Sequence, residues 1–333
     1  MGNIERLSAR SQADRPSARI VYARRSPNEE VGVDCGAQQG EAMTSSILDV
    51  TDWEVTAPET RGKRAKSWVA ELMPDGTQPR IWLRKEGLSS RPFEHAIEAR
   101  ALRLAGVCGI EAARGQACTW NVSGASKLGI VVRRFLDDEK ENFSQGFDEL
   151  KRHDASYDAE RYALHTPERV RGALQRVESE ERESLLVVPF ARLLLFDAWI
   201  GNGDRHPGNR GLIRSAGAAA RLAPMYDPAA CLGAELGEEA VRALIQDAGR
   251  LDRYVERCPS GFGNGDELIR QPGVIAGIRA WPEVQRNAGT WLARFRAAMD
   301  TLSDPLYDGL TPERVELAAR LLRRRLEWLE ARL

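Results

Sequence analysis

The chain lacks any apolar run that could cross a membrane. A spanning helix needs roughly 18 or more predominantly apolar residues in succession, and no such stretch occurs among the 333 residues. The first segment, Met1–Arg19, is polar and of mixed charge, so it also lacks the apolar centre of a secretory signal. We therefore expect a cytoplasmic protein with no membrane partner.

The sequence also has few cysteines and histidines and almost no net charge. Its five cysteines lie far apart and form no C-x-x-C pair, which argues against a zinc site and against a disulfide framework. Its four histidines form no metal-binding set. With 48 basic and 49 acidic residues the formal net charge is -1, so the chain lacks the positive field typical of proteins that bind nucleic acid. We expect no direct nucleic-acid partner.

The composition changes along the N-terminal part of the chain. Residues 1–46 mix small, polar and charged side chains without a helical or strand period, which predicts a flexible leader. Two β-type runs then follow, Ser67–Leu72 and Arg80–Lys85, on either side of Pro74-Asp75-Gly76. Strand-forming runs that flank such a turn predict a β-hairpin.

A helix and a further strand follow the hairpin. Apolar residues recur at spacings of three and four over Phe93–Cys108, which predicts a helix with one apolar face. The segment Gly129–Leu136 has the composition of a strand. We therefore expect an α+β protein, with a small β-rich lobe over residues 47–137 and a mainly helical lobe over residues 138–333.

Helix signals dominate the C-terminal half. Thr166-Pro167-Glu168 and Thr311-Pro312-Glu313 each combine an N-cap hydroxyl, a proline at the first helical position and an acid in the first turn. The segment Val188–Ile200 is mainly apolar and runs directly into the glycine-rich segment Gly201–Asn209. This order predicts a helix that ends where the glycine-rich segment begins.

The segment Gly201–Asn209 carries the strongest chemical signal. Asp204 and Asn209 have the spacing of the protein-kinase catalytic loop, in which the aspartate accepts the substrate proton and the asparagine binds metal. Two short β-type runs over residues 210–223 would then return the chain so that Asp227 lies beside Asn209. We therefore interpret Asp227 as a second Mg²⁺ ligand.

Candidate phosphate-binding residues precede this segment. Lys85 ends the predicted hairpin, and Glu98 lies on the following helix where it can turn back toward Lys85. Such a lysine and glutamate pair orients nucleotide phosphates in kinases. Gly62 and Lys66, the ends of Gly-Lys-Arg-Ala-Lys, would add backbone amides and a cation.

Each candidate residue also has a structural interpretation. Asp204 could be a turn residue whose side chain accepts hydrogen bonds from nearby backbone. Lys85 could be a solvated lysine at a strand end, and Glu98 could be solvated or paired with a neighbouring arginine. His206 is a candidate general base, but a histidine in such a loop can instead orient the loop by hydrogen bonds.

Several segments together carry a family resemblance. They are Leu195–Asn209, Leu222–Gly233, Gly62–Lys66, Lys85, Glu98, Gly109-Ile110 and Val132–Phe135. They resemble the C-terminal kinase domain of the HipA-like family. The motif Gly-Asp-Arg-His-x-x-Asn is also shared with phosphatidylinositol 3/4-kinases, whose fold is related.

The resemblance implies a two-lobed, protein-kinase-like fold that uses ATP and Mg²⁺ to phosphorylate serine or threonine. Asp204 is then the base, and Asn209 and Asp227 are the metal ligands. Lys85 is expected to contact the phosphates. The resemblance further places adenine near three residues of one segment, namely Arg134, Phe135 and Asp137.

The resemblance also suggests partners. Family members are toxins of bacterial toxin and antitoxin systems, some of which phosphorylate aminoacyl-tRNA synthetases, and a DNA-binding helix-turn-helix protein restrains them. We therefore expect a protein substrate and a helix-turn-helix antitoxin. Full-length members carry an extra N-terminal subdomain for which too few residues precede Gly62, so we expect that subdomain to be encoded separately or absent.

Two other functions remain open from the sequence. A lipid or small-molecule kinase would share the same catalytic motif. A nucleotide-binding pseudokinase that acts as a regulator would share the fold, although the intact acid and metal residues argue against it.

Overall fold

The computed structural model describes residues 47–59, 64–137, 139–158, 164–181, 183–264, 267–299 and 309–333. The predicted leader, residues 1–46, and the candidate phosphate-binding Gly62 lie outside the described residues. Within the described ranges, no helix is both long enough and apolar enough to span a bilayer.

A six-stranded sheet dominates the N-terminal part of the structure. Its strands are β1 (Leu48–Asp49), β2 (Glu54–Glu59), β3 (Lys66–Glu71), β4 (Arg80–Glu86), β5 (Gly115–Val122) and β6 (Ala125–Arg133). Their order across the sheet is β1-β5-β6-β4-β3-β2. The predicted hairpin is confirmed as β3 and β4, which pair Lys66 with Lys85. The predicted end of the later strand at Leu136 is wrong, because β6 leaves its pairing with β4 after Arg133.

The residues of β6 explain why this sheet is buried on both faces. Ile130 and Val132 belong to the main hydrophobic core, whereas Val131 packs with Trp82 and Trp120 in a smaller cluster on the opposite face. Successive residues of a strand point to opposite faces. A continuous apolar run is therefore what a strand buried on both sides requires.

One helix, α1 (Glu94–Val107), packs against β5 and β6 and confirms the helix predicted over Phe93–Cys108. Its buried apolar side chains include Ile97, Ala101 and Leu104. The chain turns away after α1 at Gly109, whose φ is 70°. Glycine adopts this left-handed conformation without a steric penalty, and it commonly ends helices.

The C-terminal part of the structure is mainly helical. Its helices are α2 (Gly146–His153), α3 (Pro167–Glu180), α4 (Val187–Ile200), α5 (Glu238–Gln246), α6 (Ala248–Glu256), α7 (Gln271–Ile278), α8 (Pro282–Met299) and α9 (Pro312–Glu330). The two predicted helix starts are confirmed, since the Thr166 hydroxyl accepts from the N–H of Arg169 and the Thr311 hydroxyl accepts from that of Arg314.

The apolar helix α4 lies in the middle of this helical part. Trp199 stacks on Phe295 of α8, with the ring centroids 4.8 Å apart, and donates its indole N–H to the carbonyl oxygen of Leu322 on α9 at 3.0 Å. Phe196 meets Phe295 edge to face. Since α4 contacts neighbours around most of its surface, its C-terminal end is held in a fixed position.

Two small sheets flank the end of α4. One has the order β7-β8-β9, formed by β7 (Glu141–Gln145), β8 (Gly211–Ser215) and β9 (Arg221–Leu222). Its β8 and β9 confirm the short hairpin predicted after Asn209. The other pairs β10 (Pro259–Asn264) with β11 (Glu267–Arg270).

The predicted α+β class is confirmed, with a β-rich N-terminal lobe and a mainly helical C-terminal lobe. The boundary between residues 137 and 138 stays a prediction.

Candidate active site

The candidate catalytic loop begins at a glycine that no other residue could replace easily. Gly201, at the C-terminal end of α4, has a φ of 67°, in the left-handed region. A Cβ atom at this position would collide with the guanidinium of Arg325, which donates to the carbonyl oxygen of Ile200 at 2.8 Å. The conformation and the close approach both require glycine here. The loop therefore leaves α4 in one defined direction.

A buried arginine organises the loop. The guanidinium of Arg205 is fully buried and donates two hydrogen bonds to the carboxylate of Asp197 on α4, at 2.8 and 2.9 Å. Its Nη1 also donates to the carbonyl oxygen of Asn209 at 2.6 Å and to that of Tyr226 at 3.4 Å. One side chain thus ties together α4, the end of the loop and the segment before Asp227.

The candidate base Asp204 is presented to solvent by this loop. Its side chain is 56% exposed, while its backbone carbonyl oxygen accepts from the amide of Asn209 at 2.8 Å. Partial burial raises the pKa of Asp204, and the negative charge of Asp227 adds to the rise, although His206 opposes it. A carboxylate with a raised pKa is a better proton acceptor than an ordinary one.

The contacts of His206 fit the loop-orienting alternative. Its Nδ1 accepts from the backbone N–H of Gly208 at 3.0 Å, so in the neutral ring Nε2 carries the proton. That Nε2 lies 3.9 Å from the nearer carboxylate oxygen of Asp204, which is beyond hydrogen-bond distance. The role of His206 as a general base stays a prediction.

Lys85 joins the two lobes at the centre of the site. Its ammonium donates to Glu98 of α1 at 2.7 Å and to Asp227 at 2.9 Å. Lys85 and Glu98 are both buried. The structure thus brings Lys85 and Glu98 into contact, as the sequence suggested, and it places Asp227 on the same ammonium.

The contacts of Lys85 shift the pKa values of both Lys85 and Asp227. Burial opposes the charge of both Lys85 and Asp227, but Glu98 and Asp227 together raise the pKa of Lys85, and Lys85 lowers the pKa of Asp227 to about 2. Lys66 and Arg64 contribute to the low pKa of Asp227. The Asp227 carboxylate is therefore ionised at any ordinary pH.

The three residues predicted to lie near adenine have different partners in the structure. Phe135 stacks on Tyr226, the neighbour of Asp227, with ring centroids 5.7 Å apart. The guanidinium of Arg134 lies over the ring of Trp68 at 5.2 Å. Asp137 is exposed and pairs with Lys140 at 3.1 Å. Phe135 thus contacts the segment leading to Asp227.

Sequence reasoning assigned no role to several residues that shape the site. Asp197 and Arg205 form the buried pair described above, and the hydroxyl of Tyr226 donates to the carbonyl oxygen of Gly208 at 2.7 Å. Asp197, an acidic residue inside the mainly apolar Val188–Ile200 segment, was the available signal, since a buried carboxylate needs a partner.

Fold and site together define a kinase-like protein, with the Lys85 and Glu98 pair in the β-rich lobe facing a loop that carries Asp204 and Asn209. The chain belongs to the HipA-like C-terminal domain family, whose sequence model matches residues 59–256.

One solved structure supports the same fold. The Helicobacter pylori proinflammatory kinase CtkA is similar with a TM-score of 0.68 at 13% identity, over 86% of this chain and 98% of that chain. The HipA structure from Shewanella oneidensis MR-1, solved with HipB and operator DNA, gives a TM-score of 0.49 at 14% identity, over 86% of this chain and 67% of that one. No curated protein matches the chain.

Proposed function

We propose that this protein is a kinase that transfers the γ-phosphate of ATP to serine or threonine of a protein. The observation that carries the proposal is the position of the Lys85 ammonium, between Glu98 at 2.7 Å and Asp227 at 2.9 Å. A lysine held in this way can orient nucleotide phosphates, and its partner Asp227 can bind the metal that accompanies them. Membership of the HipA-like family supports the same function.

The chemistry of the available side chains fits a nucleotide with Mg²⁺. Mg²⁺ prefers oxygen ligands and is commonly bound through one or two carboxylates together with substrate phosphates. Asp227 offers a carboxylate, and Asn209 offers the oxygen of an amide whose N–H end is engaged by Asp204. Among the described residues there is no group of three or more His, Cys, Asp or Glu side chains that could hold a metal alone. A site completed by phosphate oxygens is therefore the arrangement we propose.

Each residue then has a defined task in phosphoryl transfer. Lys85, with Lys66 nearby, would hold the phosphates, and Asp227 and Asn209 would hold Mg²⁺, which neutralises negative charge on them. Asp204 would accept the proton of the serine or threonine hydroxyl as the hydroxyl oxygen bonds to the γ-phosphorus. The bond from that phosphorus to the ADP oxygen breaks, and ADP leaves.

The Asp204 carboxylate gives the sharpest test, because the exposed side chain can be changed without disturbing the core. We expect the purified protein to transfer labelled γ-phosphate to itself or to a protein in a lysate. Asp204→Asn should reduce the rate by about 10²–10⁴-fold, the usual contribution of a positioned base. Asp252→Asn removes a carboxylate that is 45% exposed on α6 and should leave the rate unchanged.

Two outcomes would overturn the proposal. One is a purified protein that does not bind ATP in the presence of Mg²⁺. The other is phosphoryl transfer that Asp204→Asn leaves intact. The proposal extends to a cellular role as a toxin restrained by a helix-turn-helix protein, which co-expression and co-purification with such a partner would test.

A further inference from the structure

A small cavity lies in the helical lobe, where the candidate catalytic loop passes into β8. Its volume of about 20 Å³ is enough for one water molecule or one monatomic ion. Most of its lining is apolar and includes Leu174 of α3 and Phe190 of α4. Two charged residues also line it, Glu149 of α2 and Arg210, which directly follows the catalytic loop.

The guanidinium of Arg210 has donors that no protein group uses. Its Nε and Nη2 are buried, and neither has a hydrogen-bond partner among the residues that the structure describes. The ring of Phe190 lies 5.9 Å from the guanidinium, near the distance limit of a cation–π contact. Because buried charges are normally paired and hydrogen-bonded, Arg210 is expected to have a further partner in the cavity.

The carboxylate that lines the same cavity is engaged elsewhere. Glu149 accepts two hydrogen bonds from Arg214, at 2.8 and 3.0 Å. It also accepts from Arg152, at 2.9 and 3.2 Å. Arg214 has a second carboxylate partner, Glu181, at 3.1 Å. Since arginine stays protonated in proteins, these two arginines and Arg210 together exceed the two carboxylates by one positive charge.

The guanidinium is also held against the start of α2. The N–H of Gly146, the first residue of α2, donates to the backbone carbonyl oxygen of Arg210 at 2.9 Å. A Cβ atom at Gly146 would lie 2.8 Å from the Cζ of Arg210, so the guanidinium packs directly on the helix backbone. The N-terminal end of a helix carries a partial positive charge, which favours an anion nearby.

We propose that this cavity binds a small monovalent anion of the halide class, held by Nε and Nη2 of Arg210. A halide accepts hydrogen bonds and needs no acceptor in return, so a mainly apolar lining suits it. A water molecule also fits the volume, but it would leave the excess positive charge uncompensated. The anion would fix the chain beside Asn209, the residue before Arg210. This inference does not depend on the proposed kinase function.

Thermal unfolding in mixtures of sodium chloride and sodium gluconate at constant ionic strength tests the inference, because gluconate is too large for the cavity. The melting temperature of the wild type should rise by about 3 °C for each tenfold increase in chloride above its dissociation constant. Arg210→Met should lose this dependence on chloride. In gluconate alone the variant should be at least as stable as the wild type, because an unpaired buried charge has been removed.

Arg171→Met is a matched control. Arg171 is also a partly buried arginine over an aromatic ring, that of Trp281 at 5.2 Å, but it has a carboxylate partner, Glu283, at 3.1 Å. This variant should keep the wild-type dependence on chloride. Equal dependence in wild type and Arg210→Met would overturn the inference.

If Arg210→Met does not fold, crystals of the wild type grown in sodium bromide decide the question. The expected result is an anomalous bromide peak within hydrogen-bond distance of Nε and Nη2 of Arg210. A water molecule alone at that position, or an empty cavity, would overturn the inference.

Discussion

The buried imidazole of His95 makes the stability of the protein depend on pH. His95 is 2% exposed, and neither ring nitrogen has a hydrogen-bond partner among the residues that the structure describes. Burial, reinforced by the charge of Arg64, lowers the pKa of His95 from 6.5 to about 4. The unfolded chain therefore binds a proton near pH 6.5 that the folded chain does not bind until about pH 4. Neutral His95 therefore contributes unfolding free energy at neutral pH, and this contribution is lost as the pH falls from about 6.5 to about 4.

The size of this pH effect on the unfolding free energy follows from the shift in the pKa of His95. About 2.5 units at 1.36 kcal/mol per unit amount to about 3 kcal/mol of unfolding free energy. In His95→Leu the proton is never taken up, so that part of the acid destabilisation should vanish. At pH 7.5 the variant should be as stable as the wild type or slightly more stable, because two unsatisfied buried nitrogens have been removed.

Urea unfolding followed by tryptophan fluorescence between pH 7.5 and 4.5 measures the effect. The difference in unfolding free energy between His95→Leu and wild type should grow steadily in favour of the variant as the pH falls. His206→Gln retains His95 and should follow the wild type over this part of the acid range. Parallel curves for His95→Leu and wild type would refute the reasoning.

Three further changes probe the catalytic loop, each by the urea midpoint and by phosphoryl transfer. Arg205→Met leaves the Asp197 carboxylate buried without its partner, and should destabilise the protein by about 3–5 kcal/mol; adding Asp197→Leu should recover much of that loss. Gly201→Ala forces a left-handed conformation on alanine and a collision with Arg325, at about 1–3 kcal/mol or more. Tyr226→Phe removes one hydrogen bond to the loop, which costs about 1 kcal/mol of unfolding free energy. The relative loss of phosphoryl-transfer rate should exceed the relative loss of unfolding free energy.

Local signals were the ones that sequence reasoning interpreted correctly. Helix starts at Thr166 and Thr311, the β3 and β4 hairpin and the turn at Gly201 depend on residues within a few positions of one another. The strand β7 was not predicted, because its partner β8 lies far along the chain. The strands β5 and β10 pair with the next strand in the chain, β6 and β11, and were missed because their own composition is mixed. The end of β6 was placed too late, since its pairing with β4 ends at Arg133, opposite Trp82.

The candidate site shows the same division between local features, which the sequence predicted, and long-range contacts, which it did not. Spacing alone predicted that Asp204 and Asn209 share one loop, and order along the chain suggested that Lys85 meets Glu98. The attachment of the loop to α4 through Arg205 could not be predicted, because a pair of buried charges from two elements depends on the packing of the whole helical lobe. Gly62 lies outside the described residues, and the catalytic, phosphate-binding, adenine-binding and metal-binding roles of the other candidate residues stay predictions.

The group formed by Lys85, Glu98 and Asp227 is difficult to explain as a device for stability alone. Burial opposes the charge of each of these three groups and raises the pKa of Glu98, so gathering them in a largely buried place opposes folding. Replacing such a group by apolar side chains is often neutral or stabilising. In the metal and phosphate site that we propose, the ionised Asp227 would attract the cation and Lys85 would hold the phosphates. The group therefore fits the proposed site better than it fits the requirements of the fold.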